Sequence, residues 1–139
     1  MSTPEARITL AIDAMGGDEG PEEILEGLAL AVEDAPRSAR FVVVGREEEL
    51  LPNIERNPLL CAANVEMLHA SEVIGMNEKP IAGIKKKKDS SMARALELVK
   101  EDEADALFSC GNTGCLMAGG AIRLRTLDSI ERPALCTIW

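Results

Sequence analysis

The chain has 139 residues, a formal net charge of −9 and 46% hydrophobic residues, of which aromatics make up only 2% of the whole. A chain of this size supports one core built on Leu, Ile, Val, Met and Ala, and its acidic balance and scarce aromatics exclude a duplex-binding or base-stacking nucleic-acid module. No apolar run approaches the roughly 20 residues that cross a bilayer, and residues 1–7 are polar rather than a secretory leader, so the cytoplasm is the expected compartment.

Residues 8–14 (ITLAIDA) read as a strand buried on both faces. A Gly16-Gly17 turn follows, and Pro21 then supplies the fixed φ that suits the first position of a helix. Over residues 21–34 the side chains of Ile24, Leu25, Leu28, Ala29 and Val32 fall on one stripe at helical spacing. Residues 41–45 form a second buried strand, residues 46–51 open a short amphipathic helix, and residues 65–69 form a third strand. Residues 75–83 contain Pro80 and no apolar period, so a mobile loop is expected there.

Asp89 or Ser90 then caps a helix whose buried stripe is Met92, Ala95, Leu96 and Val99. A strand over residues 104–109, a helix over 114–125 and a last strand over 134–138 complete the pattern. Repeated β-α alternation with buried strands predicts an α/β fold, a three-layer α/β/α sandwich with a mostly parallel sheet. The apolar finish at Trp139 leads to the expectation that the sheet is incomplete at the C-terminus and that the chain is part of something longer.

Two junctions carry the chemistry. One follows Asp13, and the other runs Ser109-Cys110-Gly111-Asn112-Thr113-Gly114-Cys115 from a strand into a helix. In an open parallel sheet all strands end on one edge, so both loops line one crevice. Backbone N–H groups gathered at the second junction can hold a phosphate, a carboxylate or an oxyanion; alternatively its glycines serve only to turn tightly. Asp13 is expected to fix the first glycine turn by accepting N–H bonds and Asp18 to cap the following helix, both as structural support. His69, the single histidine, is expected to be structural, having no local carboxylate pattern.

Lys85-Lys86-Lys87-Lys88 concentrates positive charge in an acidic chain. It is either a solvated surface run or an attractor for phosphate and acidic partners. Cys110 and Cys115 lack the companions of a zinc shell, so no metal is expected. A nucleophilic thiol at a helix N-terminus stays open on chemistry alone.

The runs AIDAMGGDEGPE (11–22), LHASEVI (68–74), KKKKDSSMARALELVK (85–100), ADALFSCGNTGCLMAGGA (104–121) and ERPAL (131–135) occur in the order and spacing found in the PlsX-type phosphate acyltransferases, which the chain resembles over nearly its whole length. The resemblance implies an enzyme that moves a fatty acyl group from acyl carrier protein to inorganic phosphate, giving acyl phosphate for phospholipid synthesis. It implies no cofactor, a homodimer, and a cytoplasmic protein with possible peripheral membrane association. Family members are longer, so residues 1–139 correspond to the N-terminal part of one such domain, inactive by itself. The family pattern has small residues where Cys110 and Cys115 stand, which makes these cysteines small-residue substitutions.

Phosphate is already a nucleophile near neutral pH, so such a site must hold and aim it and stabilise the oxyanion formed on the thioester carbonyl. The candidate substrate-binding groups are Gly16, Gly17, Lys88, Ser90, Ser91, Gly111, Asn112, Thr113 and Gly114, with the Asn112 amide as the candidate catalytic group that polarises the carbonyl. Residues 17–22 (GDEGPE) are also similar to the start of decarboxylating NAD-dependent 2-hydroxyacid dehydrogenases such as isopropylmalate dehydrogenase, which share the α/β/α architecture. Their metal-binding aspartates and arginine set have no counterpart here. A non-catalytic carrier-binding module is the third reading.

Overall fold

Strands β1 (Ile8–Asp13), β2 (Ala39–Gly45), β3 (Val65–His69) and β4 (Ala106–Ser109) pair in parallel in the order β3-β2-β1-β4. The computed structural model describes residues 8–34, 39–62 and 65–136. From β1 the chain first builds outward through β2 and β3, then returns to place β4 on the other side of β1. The direction of winding therefore reverses between β1 and β4, the kind of point outside which open parallel sheets bind their ligands.

Successive strand residues point to opposite faces. Ile12, Phe41 and Val43 pack with Leu25 and Leu28 of α1 (Pro21–Asp34), Leu50 of α2 (Glu47–Arg56) and Leu60 of α3 (Pro58–Ala62). On the other face Ala11, Val42 and Val44 meet Ala95 of α5 (Ser91–Lys100). A third cluster, with Ile84, Met92, Leu96 and Cys115, joins α4 (Pro80–Lys86) and α6 (Thr113–Gly119) to α5. The result is the expected α/β/α layering.

α3 was not expected from the sequence, and four of the expected elements depart from the sequence reading. The helix expected from residue 46 runs on to Arg56 despite Pro52 inside it. Half of the expected loop over residues 75–83 is helical: Pro80 starts α4 at a position where its missing N–H costs nothing. Seven residues with Gly83 in the middle give too little pattern to register as a period. Next, the helix expected over residues 114–125 stops being α-helical at Gly119 and widens into a π-helical turn, Gly120–Leu124, that ends at Arg125 with φ 68°.

Finally, residues 134–136 of the expected last strand are exposed and pair with no strand among the described residues, and residues 137–138 of that strand lie outside the described residues. A strand exists only through a ladder partner.

Candidate functional site

Asp13 ends β1 and Ser109 ends β4, and the two are paired in register. The Ser109 hydroxyl donates to Asp13 Oδ2 at 2.6 Å and accepts the Gly111 N–H at 3.0 Å. Asp13 is 1% exposed, and its Oδ1 has no hydrogen-bond partner among the described residues. In place of the expected N–H bonds from the glycine turn, Asp13 takes a side-chain bond across the sheet, from the residue that parallel pairing sets beside it. Ser109 was not singled out from the sequence; its role depends on a strand pairing that residue types do not reveal.

The two loops touch through backbone. A Cβ on Gly16 would lie 2.8 Å from Asp13 Oδ2 and 2.8 Å from the Gly111 nitrogen, so this contact exists only with glycine. Gly17 stands at φ 114° beside Cys110. Asp18 is exposed and makes no hydrogen bond among the described residues, so it does not cap α1; the residue preceding that helix is Gly20, at φ 84°.

Asn112 is buried at the N-cap of α6, where its Oδ1 accepts the Cys115 N–H at 3.0 Å. Its Nδ2 faces three carbonyl oxygens, those of Gly75 (3.3 Å), Met76 (2.8 Å) and Glu78 (3.0 Å). Both ends of the amide are engaged, and carbonyl polarisation by Asn112 would require one of these bonds to open. The first part of the segment expected to be mobile is bonded to this side chain and also through Glu78 to the Gly75 N–H and Lys87. Thr113 is exposed, and the backbone N–H groups of Thr113 and Gly114 have no partner among the described residues, as the first turn of a helix dictates.

Close packing holds α4 against α6. A Cβ on Gly114 would fall 2.7 Å from Pro80 Cγ, and one on Gly83 would fall 3.1 Å from the Cys115 sulfur. Burial, with the Glu78 carboxylate adding to it, pushes the Cys115 thiol above its ordinary pKa. That removes the thiolate a nucleophile needs, in keeping with a small core residue. Cys110 is exposed.

The four lysines divide. Lys87 is ion-paired to Glu78 and donates to the Val73 carbonyl at 2.6 Å, while Lys85, Lys86 and Lys88 are exposed and form no ion pair among the described residues. The Lys87 ammonium, helped by the Gly75 N–H, holds the Glu78 carboxyl below the usual glutamate range. Ser90 caps α5: its hydroxyl accepts the Ala93 N–H (3.3 Å) and donates to the Lys87 carbonyl (2.8 Å). Ser91 is buried in the same first turn, and Met92 from that turn reaches the Gly111 loop.

Asp89 accepts the Ser71 hydroxyl (2.6 Å) and N–H (3.0 Å), and these bonds, with Arg94 nearby, lower its pKa. His69 accepts the Glu47 N–H at the start of α2, at 3.2 Å, which is the structural role expected of it. Among the described residues no group of three His, Cys, Asp or Glu is placed to hold a metal ion, and no helix is long and apolar enough to cross a membrane.

Residues 8–139 match the family model described as "Fatty acid synthesis protein". The chain is 44% identical over 126 residues to the phosphate acyltransferase of Ligilactobacillus salivarius, covering 91% of this chain and 36% of that protein. It is 45% identical over 129 residues to that of Thermoanaerobacter pseudethanolicus (93% and 37%) and 43% identical over 140 residues to that of Azorhizobium caulinodans (100% and 38%). The chain therefore spans little more than a third of the length of these curated relatives.

Proposed function

Because the chain belongs to the fatty acid synthesis protein family, the PlsX-type phosphate acyltransferases, we propose that it forms the phosphate-holding wall of an enzyme that transfers a fatty acyl group from acyl carrier protein to inorganic phosphate. The observation that carries this reading is the backbone contact between the Gly16 and Gly111 loops at the point where the winding of the sheet reverses. Ligands of open parallel sheets bind at such a point, outside the carboxyl ends of the strands.

In this reading the free N–H groups of Thr113 and Gly114, the Thr113 hydroxyl and Lys88 hold the phosphate. One phosphate oxygen attacks the thioester carbonyl, the C–S bond breaks, and the carrier's thiol leaves. Gly16, Gly17 and Gly111 let the ligand approach the backbone, and Ser90 and Ser91 set the helix that supports Gly111. Asp13, Ser109 and Asn112 keep the two loops in shape. The exposed lysines attract the acidic carrier against the chain's overall charge. The full-length enzyme acts as a homodimer in the cytoplasm, at the periphery of the membrane.

The test is acyl phosphate formation, trapped with hydroxylamine, by a full-length protein carrying this segment, supplied with acyl carrier thioester and inorganic phosphate. Phosphate-dependent product that falls at least tenfold on Thr113→Ala with Lys88→Gln is expected. Enzyme-dependent acyl hydroxamate above the protein-free thioester background that needs no phosphate, or an unchanged rate in that double variant, would overturn the reading.

A further inference from the structure

Three carbonyl oxygens, those of Gly75, Met76 and Glu78, lie within 3.3 Å of Asn112 Nδ2. An amide nitrogen has only two hydrogens to give, so the third carbonyl is placed by the shape of the 75–78 segment itself. That shape has a visible source. The Gly75 carbonyl accepts the Glu78 N–H at 3.2 Å, and the Gly75 N–H donates to Glu78 Oε1 at 2.8 Å. The same carboxylate oxygen is ion-paired with Lys87, whose ammonium also holds the Val73 carbonyl at 2.6 Å.

Glu78 thus closes the turn twice, through its backbone and through its side chain, and Lys87 anchors it from the C-terminal end of α4. Gly75, Met76 and Asn77 are exposed, so these polar bonds define the segment more than packing does. A cradle of three acceptors admits the nitrogen end of the Asn112 amide and repels its oxygen. The amide is thereby held in one of its two orientations, with Oδ1 left to accept the Cys115 N–H at 3.0 Å and cap α6.

We propose that Glu78, held by Lys87, is a positioning residue of the site: it shapes residues 75–78 into the cradle that orients the Asn112 amide and, through that amide, the first turn of α6. The inference rests on the function proposed above for what that turn holds, and adds to it the residue that sets the turn's geometry. The positioning depends on charge. The groups acting on the Glu78 carboxylate are the Lys87 and Lys86 ammoniums and, from α6, the Cys115 thiol. Lys87 and the Gly75 N–H keep Glu78 ionised below the ordinary glutamate range, and protonation weakens both bonds by removing the charge.

The test is NMR of the chain, following the Asn112 side-chain amide and the Cys115 N–H in the wild type, Glu78→Gln and Glu78→Ala. In the wild type the Asn112 amide signals are expected to titrate with the Glu78 midpoint. Glu78→Gln, which keeps an oxygen acceptor for Gly75 and Lys87 without the charge, should abolish that titration. Glu78→Ala should speed hydrogen exchange at the Asn112 amide and at Cys115 about fivefold or more, with no change at Ala70, whose N–H is bonded to Gly45 in the sheet region. Phosphate should bind Glu78→Ala about fivefold more weakly than the wild type, with Glu78→Gln between the two. Asn112 signals indifferent to pH through the Glu78 titration, or phosphate affinity equal in Glu78→Ala and the wild type, overturn the proposal. A wild-type chain that shows the Asn112 response but no phosphate shifts removes the phosphate reading and leaves Glu78 as the residue that orients Asn112.

Discussion

Ser109 Oγ and Asp13 Oδ2 are 2.6 Å apart although 96 positions separate them in the chain. The same hydroxyl takes the Gly111 N–H, so one serine joins the end of β1, the end of β4 and the start of the second glycine loop. Ser109→Ala leaves both Asp13 oxygens buried without a partner. The expected cost is about 1–3 kcal/mol of unfolding free energy, with most of it recovered in Ser109→Thr. Urea denaturation with equal midpoints for the wild type and Ser109→Ala would show that the bond contributes nothing.

Gly16→Ala should be more damaging than an alanine at most other glycines. The new Cβ would sit 2.8 Å from both a backbone nitrogen and a carboxylate oxygen that is buried and bonded to Ser109. Overpacking of this kind costs about 1–3 kcal/mol and moves the two loops apart. Gly120→Ala, where a Cβ meets nothing within 4 Å, is the matched control and should be close to neutral. Phosphate titration followed by NMR is expected to show weaker binding for Gly16→Ala alone; equal shifts in the two variants would contradict this.

Asn112 separates two effects. Asn112→Ala removes the cap on α6, worth about 1 kcal/mol, together with the donor to three carbonyls. Asn112→Asp keeps the cap acceptor for Cys115 but sets a negative charge against the carbonyls of Gly75, Met76 and Glu78. Hydrogen exchange should therefore rise at residues 75–78 in both variants, and at Cys115 only in the alanine variant. Protection at residues 75–78 that survives Asn112→Asp would show that the segment is held by something other than this amide.

The lysine run is expected to behave as two functional classes. Replacing Lys85, Lys86 and Lys88 with Gln should weaken binding of acyl carrier protein by several-fold at low salt and little at high salt, leaving stability unchanged. Lys87→Gln should instead destabilise the fold, because it strips Glu78 and the Val73 carbonyl of their cation. Carrier binding measured at two ionic strengths for both sets decides it.

Acid should release the same contact. The folded-state pKa of Glu78 is lowered by Lys87, so its contribution to stability is fully present above the ordinary glutamate pKa and is lost as pH falls through the depressed value. Lys87→Gln should raise the Glu78 titration midpoint and flatten the acid limb of the stability curve between those two values. A Glu78 midpoint unmoved by Lys87→Gln in an NMR titration would rule this out.

Local patterns made much of the fold legible in the sequence. Buried apolar runs mark β1 and β2, one apolar stripe marks α1, and Ser90 before Met92 and Ala95 marks the start of α5, because each signal lies within a few residues of its consequence. The short helix α4 was hidden behind Pro80, and the close approach of Leu96 and Ile84 to Gly119, where α6 widens, involves side chains of other elements. Among site residues, Asn112 stood out as an amide in the second glycine junction, but its cap on α6 and its bonds to residues 75–78 belong to the folded chain.

The sequence by itself determined the α/β class, the two glycine junctions and the family, since these reside in residue types at fixed spacing. Only the tertiary structure decided that Asp13 is met by Ser109 and that Lys87 faces inward while its neighbours face solvent. These depend on which strand lies beside which and on what each helix covers. Such pairings join groups tens of residues apart, and no local period or motif records them.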